Sequence, residues 1–382
     1  MIINLDYKNL FGYLVNTDIC NKSDLEYLKI DVSSSHNFNW VIDLTTNGEK
    51  IFIKQRPHYS KLYSDDRIRK EWHIYNFFKS DQDLVYASSL TPAVIHYDDI
   101  NSILIYKCPN DYITLESYYK NHQYFPNTIA KLVGTTLAKL HSETMNSQEC
   151  HTFITELDED NLRYQLPYPD YLSEYLFRCL EPESLKKTAV QSWRFIGIFQ
   201  KSEAVKRVVK ELALHHRHCC LTHNNIQFNK LIIPKQWEKL LSKINYSNRS
   251  IIKLIDWEAC SWGDPACDLG KAIAEYFLFW LNSMIVHPAI EMKKSIQLAA
   301  IPLEVVRPSI VAIKNAYINT YPKILEDYPE FLKRVIQFAG LGLIYQLLTE
   351  FQLQPDLGIS HQQLYFYIAS QLLCKPEIFM SI

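Results

Sequence analysis

With 382 residues and 47% hydrophobic content, the chain is long enough for more than one hydrophobic core and too apolar to be intrinsically disordered. A formal charge of −2 creates no field that would gather polyanions, which argues against nucleic acid or an anionic membrane surface as a partner. The nine cysteines include no C-x-x-C pair, and Met1 to Leu10 lacks the basic-then-apolar order of a signal peptide, so a cytoplasmic protein is the expectation.

In chain order, the first clear element is a hairpin. Val41 to Leu44 and Ile51 to Ile53 are β-branched and aromatic runs separated by Thr45-Thr46-Asn47-Gly48, and Asn-Gly is a strong short-turn signal. Lys54 falls at the end of the second strand. From Asp66 to Phe78, apolar residues at Ile68, Trp72, Tyr75 and Phe78 recur at spacings of three and four, which predicts an amphipathic helix, with Glu71 inside it. Tyr97 to Asn101 reads as a turn before a strand over Ile103 to Tyr106, and Pro109-Asn110-Asp111 reads as a boundary between two parts of the chain. Beyond it the periodicity is helical. Ile129, Leu132, Val133, Leu137 and Leu140 share one helix face, Val205, Val208, Val209 and Leu212 another, and Phe331, Val335, Phe338, Leu341 and Tyr345 a third. The most apolar stretch, Tyr276 to Val286, is too short to span a bilayer.

Chemistry concentrates between His215 and Leu269. Ile251 to Ile255 is a strand-like run broken only by Lys253, so Asp256 emerges at a strand end, where a carboxylate can hold a hard cation and Glu258 can be a second oxygen ligand. Asp264 is positioned to cap a helix beginning at Pro265, and Asp268 to hold a loop by backbone hydrogen bonds. His215, His216, His218, Cys219, Cys220 and His223 resemble a zinc set only superficially. A helix end with solvated histidines followed by a buried strand accounts for them better, because alternate strand residues face opposite sides.

Two blocks carry a resemblance to a known family. The first is His223-Asn224-Asn225 through Lys230; the second is Ile255-Asp256-Trp257-Glu258 with Gly263-Asp264-Pro265 and Asp268-Leu269. Together they resemble the aminoglycoside phosphotransferase and choline kinase-like superfamily, whose pattern is H-G-D-x-x-x-x-N, then I-D-W-E and G-D-P-x-x-D-L. The methylthioribose kinase-like branch is the nearest. His36 to Val41 is similar to that branch's phosphate loop, Ile51 to Gln55 to its nucleotide-lysine strand, and Ile129 to His141 to the superfamily's G-x-x-L-A-x-L-H helix.

The resemblance implies an α+β, two-lobed protein kinase-like fold, with an N-lobe over residues 1–107 built on a small antiparallel sheet and a larger, mainly helical C-lobe over 108–382. It implies ATP and Mg2+ in the interlobe cleft. Lys54 would meet the nucleotide phosphates and pair with Glu71, Asn37 and Asn39 would supply phosphate-loop donors, and Tyr106 would lie at the hinge. Asp256 and Glu258 would hold the metal, and His223 would fix the catalytic loop. No glycine stands between Gly12 and Gly48, so donors in the phosphate loop must come from side chains.

The catalytic loop departs from the pattern. Asn225 stands where the base carboxylate belongs, and Lys230 where a neutral amide meets the second metal. Asn225 can orient a hydroxyl but cannot take its proton, a loss worth about 10²- to 10⁴-fold in rate. Lys230 would substitute for one metal by pairing with Asp256 or a phosphate; a slipped register would offer Asn229 instead. Two functions follow as expectations. One is a weakened kinase acting on a hydroxyl of a small molecule or peptide. The other is a pseudokinase, a nucleotide-sensing or scaffolding subunit with a protein partner. No nucleic acid or membrane partner is expected in either.

Overall fold

The computed structural model describes residues 3–22, 28–33, 38–44, 49–55, 67–109, 111–159, 197–241, 249–287, 289–353 and 359–380. By internal packing the chain divides into two compact units. One is Met1–Ser117 with Asn229–Ala259, the other Tyr118–Phe228 with Cys260–Ile382.

The first unit is built on a five-stranded antiparallel sheet: β1 (Leu28–Ser33), β2 (Phe38–Leu44), β3 (Glu49–Gln55), β4 (Ala93–Asp98) and β5 (Ile103–Pro109), in the order β1-β2-β3-β5-β4. β2 and β3 pair as expected of a hairpin, with Leu44 opposite Glu49, while turn residues 45–48 lie outside the described residues. Strand alternation sends Trp40, Ile42, Ile51, Ile53, Ile103 and Ile105 to one face, where they bury against Leu10, Tyr13 and Leu14 of α1 (Leu10–Asn16). The same alternation turns Phe52, Lys54 and Tyr106 to the other face, toward α2 (Arg67–Ser80). There Phe52 and Tyr106 stack with ring centroids 5.3 Å apart, and Tyr106 meets Tyr75 of α2 edge-on.

The turn before β5 begins later than the sequence suggests. Tyr97 and Asp98 still belong to β4, and the Asp98 carboxylate anchors the turn by accepting from Asn101 N at 3.0 Å and Asn101 Nδ2 at 2.7 Å. After α3 (Val85–Leu90), this unit also contains a second sheet of β6 (Tyr112–Thr114), β8 (Leu231–Pro234) and β9 (Lys253–Leu254), in the order β6-β8-β9. The strand expected over Ile251 to Ile255 shrinks to two residues, because β8 offers partners only opposite Lys253 and Leu254.

The second unit is mainly helical. Its principal helices are α5 (Asn127–Thr144), α6 (Gln148–Glu159), α7 (Glu203–Leu214), α8 (Pro265–Asn282), α9 (Leu303–Thr320), α10 (Phe331–Leu353) and α11 (Ile359–Cys374), and α4 (Leu115–His122) leads into it. A two-stranded ribbon of β7 (Cys220–Thr222) and β10 (Ser261–Gly263) completes it. The three periodic faces read from the sequence are the buried faces of α5, α7 and α10. α8 is apolar nearly all round and lies in the core. α5 packs on α9 so closely that a Cβ at Gly134 would lie 2.2 Å from the Ile313 carbonyl oxygen, and a Cβ at Gly270 of α8 would lie 2.6 Å from Phe338 of α10. Over Phe331–Leu348, α10 is long and apolar enough to cross a membrane by length and composition, yet 72% of that window is buried inside the protein.

Candidate functional site

Three segments of the first unit meet at one ammonium. Lys54, at the end of β3 and buried, donates to Glu71 Oε2 of α2 at 2.7 Å, to Glu258 Oε2 at 2.7 Å and to the Asp256 carboxylate. Glu71 is fully buried and also accepts from Tyr75 OH at 2.7 Å and from Trp257 N at 3.2 Å. These bonds set Glu71 as the brace between α2, β3 and the turn at Trp257–Ala259. The β8–β9 register delivers the second cation. Leu231 faces Leu254, and Ile255 N donates to Lys230 O at 3.0 Å, so Lys230 and Asp256 leave the pair side by side with Nζ 2.7 Å from Asp256 Oδ2. Asp256 has φ of 72°, a left-handed backbone that a non-glycine residue adopts at a cost the surrounding bonds must meet.

Burial alone would raise the Asp256 pKa, but Lys54 and Lys230 outweigh it and hold the carboxyl far below its usual range. For Lys54 the burden of burial is overcome by Asp256, Glu258 and Glu71, and its pKa is raised well above normal. Glu71 moves upward because burial, joined by Asp256 and Glu258, exceeds the pull of Lys54. Oxygens of Glu71, Asp256 and Glu258 lie within 4.8 Å of one another, a hard-donor set suited to a divalent cation such as magnesium. Glu71 is engaged by Lys54, Tyr75 and Trp257 N, whereas the partners of Asp256 and Glu258 are the cationic side chains of Lys54, Lys230 and Arg67. Arg67 stands 3.7 Å from Glu258.

In the second unit, the loop after β7 is held by α8. Asp268, fully buried, accepts from His223 N at 2.7 Å and Asn224 N at 2.9 Å, and His141 Nε2 lies 3.4 Å away. His141 Nδ1 lies 2.9 Å from Tyr317 OH, so the ring is held between Tyr317 and the Asp268 carboxylate. Burial presses the Asp268 pKa up, but the bonds and charge from His141 and His223 dominate and lower it. Asn224 has φ of 57°, a conformation asparagine tolerates better than most residues. Its Nδ2 donates to Ser261 Oγ at 2.6 Å, and its carbonyl accepts from Lys271 of α8. His223 Nδ1 accepts from Asn225 N at 3.2 Å, so His223 braces the loop backbone from within the core. Asp264 caps α8 at Ala266 N, 2.9 Å away, and is itself held by Arg334 Nε at 3.1 Å.

Of the site residues read from the sequence, Lys54, Glu71, Asp256, Glu258 and Lys230 come together in the first unit, with Tyr106 on the same sheet face as Lys54. His223 and Asn225 share the loop of the second. Asn37 lies outside the described residues, and Asn39 is in β2 with its backbone opposite Lys54. Lys230 faces Asp256, and Asn229 is exposed. One histidine departs from expectation: His216 is buried rather than solvated, because it folds under the end of α7 beside His218. Sequence reasoning passed over Tyr75, Lys271, Glu275 and Arg334. Lys271 and Glu275 carry a visible signal, two charges one turn apart that, with Asp268, interrupt the mainly apolar α8.

Among solved structures, the chain is similar to the Plasmodium vivax ethanolamine kinase over 100% of its own length and 93% of that chain, at TM-score 0.58 and 12% identity. It is also similar to a choline/ethanolamine kinase family protein from Mesorhizobium loti, over 97% of this chain and 96% of that one, at TM-score 0.52 and 13% identity. No protein-family model and no curated protein matches the sequence. At such identities the likeness defines the fold: an α+β, protein kinase-like fold of the choline kinase type, with a small antiparallel sheet and a larger helical part.

Proposed function

We propose that the chain is an ATP-dependent phosphotransferase of the aminoglycoside phosphotransferase type, nearest the methylthioribose kinase-like branch, acting on a hydroxyl of a small molecule or peptide. The observation that carries this reading is the buried Lys54, fixed by Glu71 and set against the Asp256 and Glu258 carboxylates. A buried, permanently charged ammonium braced in this way is preorganised for phosphate oxygens, and phosphoryl transfer depends mainly on positioning and electrostatics. Asp256 and Glu258 would hold magnesium, which when bound neutralises charge on the nucleotide phosphates. Lys230 takes the place of a neutral amide and supplies a fixed positive charge beside Asp256. Asp268, His223 and Lys271 hold the loop backbone, so that Asn225 presents its amide to an acceptor hydroxyl and orients it.

The Lys230–Asp256 ion pair also favours a second reading, a pseudokinase that binds nucleotide and serves as a sensing or scaffolding subunit, since an ammonium there opposes a second cation. Turnover separates the two. A phosphotransferase consumes ATP with an acceptor from a panel of small alcohols, amino sugars and hydroxyl-bearing peptides. A pseudokinase consumes none, gains nothing from Asn225→Asp alone, and needs Lys230→Asn with it. Strong transfer that Asn225→Ala leaves unchanged would remove Asn225 from the role given to it here.

A further inference from the structure

We propose that a cavity between the end of α7, the turn after it and the start of α10 is a binding site for a small hydroxyl-bearing anion, a hydroxy carboxylate or a phosphate monoester. The cavity lies wholly within the second unit and measures about 510 Å³, inside the range of about 300 to 1,000 Å³ usual for small-molecule sites. It does not depend on the phosphotransferase reading. His216, only 8% exposed, lines the cavity, and among the described residues neither of its ring nitrogens has a hydrogen-bond partner. A buried polar group left unpaired is costly, so the ring calls for a partner that the cavity can admit. Burial lowers its pKa to about 4, so near neutral pH the imidazole has one N–H to give and one bare nitrogen that can accept. An oxyanion satisfies the first, and a hydroxyl of the same molecule satisfies the second.

The charges beside His216 select an anion. Arg217 lines the cavity with its guanidinium over Tyr328, 3.8 Å from the ring centroid, a contact made by the flat face that leaves the N–H edge for an oxyanion. Arg334 gives Nε and Nη2 to Asp264 Oδ2, and a guanidinium with five N–H donors keeps others for a second acceptor. Asp264 itself is not part of the wall; it is 1% exposed and held by Ala266 N and Arg334. The other charged groups belong to the mouth. Glu211, His215 and Glu330 are exposed, and Lys333 pairs with Glu330 at 2.9 Å. The less exposed part of the wall therefore carries two guanidiniums and no carboxylate. Val208 and Leu212 add buried apolar surface, which suits the carbon skeleton of an organic anion better than a bare ion. Water alone could serve the two nitrogens of His216, but it would bring Arg217 no counter-charge.

The probes are glycerophosphate and glycolate, each titrated at constant ionic strength. Two quantities are followed: the melting temperature, and the ring-nitrogen NMR signals of His216, assigned by their loss in His216→Phe. At least one probe should raise the wild-type melting temperature saturably and move the His216 signals. Arg217→Gln should raise the Kd of that probe about 10-fold or more, since a hydrogen bond to a charged group is lost. His216→Phe should weaken binding as well, and circular dichroism checks that both variants fold; if either does not, the wild-type NMR titration decides alone. A response to glycerophosphate only assigns a phosphate ester, one to glycolate only assigns a carboxylate, and one to both assigns a site that reads the oxyanion around either centre. The proposal is overturned if neither probe moves the His216 signals, which would make this a water-filled cavity. It is equally overturned if the rise in melting temperature survives unchanged in Arg217→Gln and His216→Phe, which would place the binding elsewhere, the Lys54 cluster included.

Discussion

Lys54 neutralises three carboxylates that the fold has taken out of water, and its loss would leave them facing one another with only Lys230 nearby. Breaking a buried ion pair from one side costs about 3 to 5 kcal/mol, so Lys54→Met should lower unfolding stability by that order in denaturant titration. A loss below about 1 kcal/mol would show that the cluster relaxes or hydrates easily. His216 makes a pH-dependent contribution of definite sign. Burial lowers its pKa from 6.5 to about 4, with Asp264 pulling it up and His218 and Arg334 pushing it down. Between those values the unfolded chain binds a proton that the folded chain does not. The stability is therefore fully present above about pH 6.5 and is lost as pH falls toward 4, by about 3 kcal/mol in all. Replacing His216 with Phe should flatten that part of the stability profile, as measured by melts at half-unit pH steps, and equal slopes in the two proteins would refute the assignment.

At the scale of elements, the helices of the second unit meet backbone to side chain where glycine allows it. Gly134 of α5 and Gly270 of α8 each leave no space for a methyl group, since the nearest atoms are a backbone oxygen of α9 and the Phe338 Cβ with the Val335 carbonyl of α10. Gly134→Ala and Gly270→Ala should each destabilise by about 1 to 3 kcal/mol, the usual cost of overpacking, whereas Gly12→Ala, with no atom within contact range, should not. Melting temperatures of the three variants decide it. Helix existence was readable from three-and-four spacing, and Gly134 was visible as part of a motif. What the spacing did not reveal was which helix lies against it, because periodicity marks a buried face without naming its partner.

For the molecule as a whole, nucleotide binding is the governing expectation. A ligand that binds only the folded state stabilises it by about 2.7 kcal/mol at a hundredfold excess over Kd, so MgATP should raise the melting temperature measurably. Asp256→Ala should remove most of the magnesium dependence of that shift while weaker, metal-free binding through Lys54 persists. An unchanged wild-type melting curve in millimolar ATP, ADP, GTP and GDP would mean that only the fold of a kinase has been kept.

The amino-acid sequence by itself determined the hairpin that carries Lys54, the helix that carries Glu71, the Asp256–Glu258 spacing and the place of Asn225 two residues after His223, because each depends on near neighbours in the chain. Asp264 as a cap and Asp268 as a loop anchor were legible for the same reason, and both make those bonds. Only the tertiary structure decided that Lys54 meets Asp256 and Glu258 as well as Glu71, that Lys230 lies against Asp256, and that His216 is buried and lines a cavity with Arg334. Those contacts join residues far apart in sequence through sheet register and helix packing, and no local pattern encodes which distant side chain arrives at a given buried charge.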